Sequence, residues 1–261
     1  MTDETILRAL GDHPWADRIT VLDTVDSTNT FARALAAQGA PHGTVVIADH
    51  QTGGRSRRGR SFASPKGQGV YLSVIWRFDA PPDRLMHLTC VAAEAVRRAV
   101  CEACGLEPNI KWINDLVCGQ KKLCGILTEL CTTPDGFAVI CGAGVNCLQQ
   151  PADFPPEVAA MATSVAQLGG NADRSNLAAA MVRQLQLAAE DMLQPRDWMD
   201  AYRQHCITLG QDVQLIRDGQ IRTAHADGMD DQGALLVTLA DGTKETVFSG
   251  EVSVRGMYGY L

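Results

Sequence analysis

The chain is predicted to be an α+β protein, with a mixed domain over residues 1–208 and a small β-domain over residues 209–261. Three observations carry that prediction. Strand-like and helix-like segments alternate as far as Cys206. After Gly210 the texture changes to short alternating runs broken by Asp-Gly and Gln-Gly pairs. An Arg- and Gly-rich stretch at 51–60 lies between two strand-like runs, as a loop carried by a sheet would.

In chain order, Thr20–Val25 reads as a strand. Ser27 or Thr28 can cap a following helix that carries Phe31 and Leu35 and is stopped by Gly39. Thr44–Ala48 is a β-branched run leading into the basic loop, and Val70–Phe78 alternates, with Val70, Leu72, Val74 and Trp76 on one face. Leu85, Leu88, Ala92, Val96 and Val100 mark a helix over Arg84–Cys104, closed by Gly105. Leu123–Cys131 and Phe137–Val145 flank Pro134-Asp135-Gly136 and read as a hairpin. Leu177, Met181, Leu185 and Met192 mark a helix over Ser175–Leu193, and another follows over Arg196–Cys206. In the tail, Asp218-Gly219, Asp227-Gly228, Gln232-Gly233 and Asp241-Gly242 are closely spaced hairpin signals, for which a small all-β barrel is the economical solution. Residues 1–19 carry no assigned role.

With 46% hydrophobic and 20% charged residues, a chain of 261 residues buries a large core. A net charge of -7 argues against a nucleic-acid coat or an anionic-membrane binder, and no run is apolar enough to span a bilayer. Nine cysteines, an odd number, and a start at Met1-Thr2-Asp3-Glu4 without a basic and apolar signal region point to a reducing cytoplasm. Cys101-Glu102-Ala103-Cys104 has redox spacing, but it falls near the end of a helix with no second Cys pair or His to complete a metal set. Its thiols are expected to be core groups.

The chemistry is concentrated at Gln51-Thr-Gly-Gly-Arg-Ser-Arg-Arg-Gly-Arg60, which puts four guanidinium groups and three glycines in one loop. Glycines admit a ligand close to the backbone, and arginines grip anions bidentately; the bland alternative is a solvated turn. Asp26-Ser27-Thr28-Asn29 can bond a neutral polar ligand at a helix N-terminus, or merely cap that helix. Lys111-Trp112-Ile113-Asn114-Asp115 leads to Lys121-Lys122, adjacent lysines that a strand points to opposite faces. One of them can reach inward, or both can be surface charge. Gly142-Ala143-Gly144-Val145-Asn146 admits close backbone contact, as any Gly-rich strand end does. No Gly-x-Gly-x-x-Gly or Walker-type sequence is present.

In this order the segments resemble the biotin protein ligases over nearly the whole chain. Asp26–Asn29 is similar to the family's D-S-T-N, Gln51–Arg60 to Q-x-x-G-R-G-R-R-G-R, Lys111–Asp115 to K-W-P-N-D, Lys122–Glu129 to K-L-A/C-G-I-L-x-E, and Gly142–Asn146 to G-x-G-I/V-N. Gly233–Leu236 and Gly250-Glu251-Val252-Ser253 resemble its C-terminal SH3-like domain. Ser56 stands where Gly is usual, Ile113 where Pro is usual, and Phe62 where a Trp often packs near the adenine.

The resemblance implies a class II aminoacyl-tRNA-synthetase-like catalytic domain, with a mixed sheet flanked by helices, and an SH3-like barrel. It implies ATP-dependent biotinylation of a lysine on a biotin carboxyl carrier protein, such as that of acetyl-CoA carboxylase, through biotinyl-5′-AMP. ATP and biotin would be the substrates, with Mg²⁺. Lys122 and Arg57 would be catalytic. Ser27, Thr28, Asn29, Gln51, Gly54, Arg55, Ser56, Arg57, Lys122 and Gly125 would bind biotin, while Arg57, Arg60, Phe62, Lys111, Asn114 and Asn146 would bind ATP. About twenty residues precede the first family strand, so the monofunctional type without an N-terminal DNA-binding domain is expected, as a monomer or homodimer. A lipoate or octanoate ligase or transferase, and a non-catalytic biotin sensor, are the alternatives.

Overall fold

The structure, a computed structural model, describes residues 1–217, 219–248 and 253–256. Asp218 of one predicted turn, and Gly250, Glu251 and Val252 of the family-like tail, lie outside the described residues. The elements in chain order are α1 (Asp3–Leu10), β1 (Ile19–Val25), α2 (Thr28–Ala37), β2 (Thr44–Gln51), β3 (Gly69–Trp76), α3 (Leu88–Cys104), β4 (Asn109–Lys111), β5 (Asp115–Cys118), β6 (Lys121–Thr133) and β7 (Gly136–Asn146). They continue with α4 (Pro156–Ala159), α5 (Arg174–Glu190), α6 (Arg196–His205), β8 (Asp212–Arg217), β9 (Gln220–Met229), β10 (Leu235–Leu239), β11 (Lys244–Val247) and β12 (Ser253–Gly256).

The first seven strands form one mixed sheet in the order β1-β2-β3-β7-β6-β5-β4. Its β1–β2 pair is parallel, with α2 as the crossover, and the remaining pairs are antiparallel. Helices cover both faces. Ala32 and Ala36 of α2 pack with Val46, Ile75 and Ile140 on one side, while α3 and α5 pack over Val45, Ile47, Val70, Leu72, Val74 and Trp76 on the other. Every residue of β3 is therefore buried, although the sequence marks only one of its faces as apolar. β6 and β7 form the predicted hairpin, with Thr133 opposite Gly136.

Three local readings are corrected, and the N-terminal segment, left unassigned, gains a structure. The helix expected from Arg84 starts at Leu88, because Pro81 and Pro82 direct the chain into a separate 3₁₀ turn at Pro82–Leu85. The helix expected to reach Leu193 ends at Glu190. Asp227-Gly228 is not a turn: both residues lie inside β9, at a register shift opposite Leu236 and Val237, where glycine marks a bulge. The N-terminal segment is a capped helix, with Thr2 and Thr5 forming a capping box and Ile6 and Leu10 buried in the main core.

The second sheet is antiparallel, in the order β11-β10-β9-β8-β12. Its β9–β10 turn docks on the first domain: Trp112 Nε1 donates to the Gly233 carbonyl at 2.9 Å, and Arg203 Nη2 donates to the Asp230 carbonyl at 3.2 Å. Gly233 has φ +86°, and a Cβ there would lie 2.8 Å from Cys90 Sγ, so both backbone and space require glycine. The cysteines are free thiols, and burial pushes that of Cys147, for example, up to about 11.

Acid is expected to destabilise this fold early. His13, His42 and His87 are held below the ordinary imidazole value of 6.5, each chiefly by burial. The unfolded chain then binds these protons more readily than the native one, so their contribution is complete above pH 6.5 and is lost as pH falls from there toward the depressed native values. A melting series from pH 8 to 5 at constant ionic strength should show a plateau and then a falling midpoint; a midpoint that rises toward pH 5 would contradict this assignment.

Candidate active site

Because β1 and β2 run parallel, their C-terminal ends open on the same edge, with Val25 opposite Gln51 and the N-terminus of α2 beside them. Ser27 occupies the N-cap position, yet its hydroxyl makes no cap bond. The first helical N–H, that of Thr28, donates instead to Gln51 Oε1 at 2.8 Å. The Ser27 hydroxyl is thereby left to a cleft of about 400 Å³, open solvent at its mouth included.

Deeper in the same wall the polar groups bond one another. Asn29 Nδ2 donates to Glu129 Oε2 at 2.9 Å and to the Leu127 carbonyl at 3.3 Å, which turns its Oδ1 toward Ser73 Oγ. Asn29 Oδ1 and Gln51 Oε1 can only accept. Between them the Ser73 and Thr28 hydroxyls hold one proton each for three contacts, Asn29–Ser73 at 2.7 Å, Ser73–Thr28 at 2.8 Å and Thr28–Gln51 at 3.1 Å. This wall is one donor short.

The basic segment, expected to form no regular structure, folds as a hairpin. Phe62 N–H donates to the Gly54 carbonyl, Ser56 N–H to the Arg60 carbonyl, and Arg55 faces Ser61, all around a tip at Arg57–Gly59 where Arg58 and Gly59 take φ +57° and +71°. Ser56 is extended, at φ -135°, a backbone any residue adopts, so the usual glycine is not needed there. Gly54 is needed for space, since a Cβ would run into the Phe62 carbonyl. Its four arginines are spent differently. Arg55 Nη2 pairs with Glu129 at 2.8 Å, Arg57 Nη1 donates to Asn114 Oδ1 at 3.1 Å, Arg58 reaches the Ile216 carbonyl of β8 at 3.5 Å, and Arg60 is exposed. Burial lowers the affinity of Arg57 for its proton.

The floor is made of small residues on β6 and β7. The Phe62 ring rests on it: a Cβ on Gly144 would lie 2.6 Å from that ring, and one on Gly125 would lie 3.5 Å away. Lys122 Nζ stands at the edge of the same floor, 5.9 Å from the Phe62 centroid and 2.7 Å from Asp115 Oδ1. Of the adjacent lysines, Lys121 is exposed and Lys122 turns inward, held by a backbone bond from its N–H to Met161. Asn114 is clipped to β6 twice, through its side chain and its carbonyl, both to Ile126 at 2.8 Å.

Ser27, Thr28, Asn29, Gln51, Arg55, Ser56, Phe62, Asn114 and Gly125 line the cleft together. Gly54, Arg57 and Lys122 stand behind or beside that lining through the contacts above. Lys111 is buried opposite Asp115 in the β4–β5 pair, outside the lining. Asn146 is also outside it, its amide bonded to the Thr163 carbonyl and to Gln149. Ile126, Leu127, Gly142, Ala143 and Gly144 line the cleft without having been named as ligand groups. The Gly142–Asn146 pattern signals the last three, whereas Ile126 and Leu127 read as ordinary strand residues. Glu129, which holds Arg33 and Arg55, and Asp115, which holds Lys122, are not among the expected site residues, although each closes one of the family-like motifs, Lys122–Glu129 and Lys111–Asp115.

A mixed sheet that opens a polar cleft beneath an arginine hairpin, with a small antiparallel domain docked at its side, is the architecture of the biotin protein ligases. Residues 21–146 match the Biotin/lipoate A/B protein ligase family, and residues 208–255 match the Biotin protein ligase C terminal domain. Among curated relatives, the Bifunctional ligase/repressor BirA of Bacillus subtilis is 36% identical over 89% of this chain and 72% of its own length. The Biotin–[acetyl-CoA-carboxylase] ligase of Mycobacterium tuberculosis is 33% identical over 90% and 88%. Among solved structures, the biotin protein ligase from Aquifex aeolicus in complex with biotin and ATP superposes with TM-score 0.77, at 27% identity, over 92% of this chain and 99% of that one. The chain belongs to the biotin protein ligase family and is an enzyme. Among the described residues no helix is long and apolar enough to cross a membrane.

Proposed function

We infer that this enzyme joins biotin to ATP, releasing pyrophosphate and forming biotinyl-5′-AMP, and then passes the biotinyl group to a lysine of a biotin carboxyl carrier domain. The observation that carries this reading is a cleft whose wall is neutral and rich in acceptors at Thr28 and Gln51, with two cations standing beside it, Arg57 bonded to the lining residue Asn114 and Lys122 paired with Asp115. A ureido ring brings two N–H donors to a lining that presents the acceptor oxygens of Ser27, Thr28 and Gln51, and leaving such a buried group unmatched costs about 1–3 kcal/mol. A dithiolane or an alkyl chain brings none, which favours biotin over lipoate or octanoate.

At the other end the substrate carboxylate must approach the α-phosphate against mutual repulsion. In this reading Lys122 is the fixed cation between them, most valuable where negative charge builds up, and Asp115 keeps it pointed inward. Arg57 and the exposed Arg60 take the phosphates, Phe62 and Asn114 face the nucleotide, and Lys111 and Asn146 support that side from behind. Mg²⁺ is usually bound through substrate phosphates with its own waters, and here it belongs with ATP; among the described residues no group of three His, Cys, Asp or Glu marks a dedicated site.

Intact-mass spectrometry of an apo biotin carboxyl carrier domain incubated with this protein, ATP and Mg²⁺ tests the reading. One biotin adduct that requires ATP is expected. An adduct formed with lipoate and not with biotin would overturn it.

The hairpin should also retain the mixed anhydride. Arg57 ties the hairpin tip to Asn114, so Arg57→Gly removes the tie and adds freedom at the point of closure. Adenylate is expected to escape and label bystander amines, seen as biotin on added serum albumin by streptavidin blot. Labelling that stayed confined to the carrier would remove the retaining role.

A further inference from the structure

We propose that Glu129 is a positioning residue for the biotin half of the cleft, acting through Arg55 and Asn29 and never touching the substrate. The inference rests on the ligase reading above. Glu129 lies on β6, two residues beyond the cleft-lining Leu127, with its side chain 16% exposed. One carboxylate holds three donors from two separate walls. Oε1 accepts from Arg55 Nη2 of the hairpin and from Arg33 Nη2 of α2, both at 2.8 Å, and Oε2 accepts from Asn29 Nδ2 at 2.9 Å.

Its two arms have different targets. Through Arg55 it pins the root of the hairpin against the sheet. Through Asn29 it sets which amide atom faces Ser73, and so the direction of the hydrogen bonds that run on to Thr28 and Gln51. A carboxylate offers only acceptors, as does the more distant Leu127 carbonyl at 3.3 Å, and together they keep the Asn29 amide from turning over; a group at 129 that also donates leaves only the longer Leu127 bond to do so. Charge matters as well, since charge-assisted bonds are roughly twice as strong as neutral ones. Arg33 competes with Arg55 for the same oxygen, so deleting Arg33 should leave the hairpin held at least as firmly.

The test is biotin-dependent pyrophosphate release by wild type, Glu129→Gln and Arg33→Met, with KM measured separately for biotin and ATP and melting followed for each. Gln keeps the shape and one acceptor. The variant Glu129→Gln is expected to raise KM for biotin about tenfold, the scale of one charge-assisted hydrogen bond, with KM for ATP and kcat within about twofold. Arg33→Met should leave KM for biotin unchanged or slightly lower. Equal changes for both substrates, or the same rise in Arg33→Met as in Glu129→Gln, would overturn the proposal in favour of a generally structural cluster. Absence of biotin-dependent pyrophosphate release in the wild type would instead count against the ligase reading, which keeps the two failures distinct.

Discussion

Lys122→Ala is expected to reduce biotin-dependent pyrophosphate release by about 10²–10³-fold or more while leaving biotin affinity almost unchanged. The scale is that of losing one fixed donor from the place where charge develops, about 2.7–4 kcal/mol. Binding should survive because Ser27, Thr28 and Gln51, the groups assigned to the ureido ring, line the cleft from the start of α2 and the end of β2, whereas Lys122 stands on β6 outside that lining. The substitution also strips Asp115 of its 2.7 Å partner in a site where each of the two side chains is about one-fifth exposed or less. Breaking fully buried pairs costs about 3–5 kcal/mol, and water at this rim makes the loss smaller, so a folded protein with a modestly lower melting point is expected. Lys122→Arg keeps the charge but spreads it over a planar fork, so it should recover activity only in part. Isothermal titration with biotin alongside the pyrophosphate assay separates the effects; near-normal release by the folded Ala variant would take Lys122 out of the reaction.

Gly142→Ala should be damaging although it adds only one methyl group. A Cβ there would run into Asn29 Oδ1, with Asn29 Cγ 2.8 Å away. Asn29 cannot retreat cheaply, since its amide is held by Leu127, Glu129 and Ser73. Overpacking of this kind costs about 1–3 kcal/mol, which for a chain of this size lowers the melting point by several degrees. Biotin binding should weaken too, because the displaced atom begins the polar wall. Gly228→Ala is the matched control: it also lies in a strand, with nothing within 4 Å of its Cβ position, and should melt close to wild type. If the two variants melted together, close approach would not be what selects glycine at 142.

Legibility from sequence followed the range of the interaction involved. The strands around 20–25, 44–48 and 70–78, the 123–145 hairpin and the helix closed by Gly105 rest on periodicity and on turn residues, which act within a few positions. The errors came where a neighbour distant in sequence decided the outcome. Asp227-Gly228 has turn chemistry, but β10 pairs across it and converts it into a bulge. Ser27 has cap chemistry, but Gln51 arrives from β2 to serve the helix N-terminus and frees the hydroxyl. The arginine segment has low strand propensity, but Gly54 and Phe62 pair once Gln51 and Ser64 are brought together.

By itself the sequence determined that this is a mixed α+β chain with a β-rich tail, where its positive charge is concentrated, and which motifs it shares with the biotin protein ligases. Residue types and short spacings suffice for that, because propensity, periodicity and motif identity are local properties. Only the tertiary structure decided how those groups are used: Arg55 bonded to Glu129 while Arg57 is turned to Asn114, Asn146 committed to Thr163 outside the cleft, and Lys122 turned inward onto Asp115. Each of those choices is a competition among donors for a few acceptors, and strand register and the packing of α2 against the sheet settle which partners come within hydrogen-bonding distance.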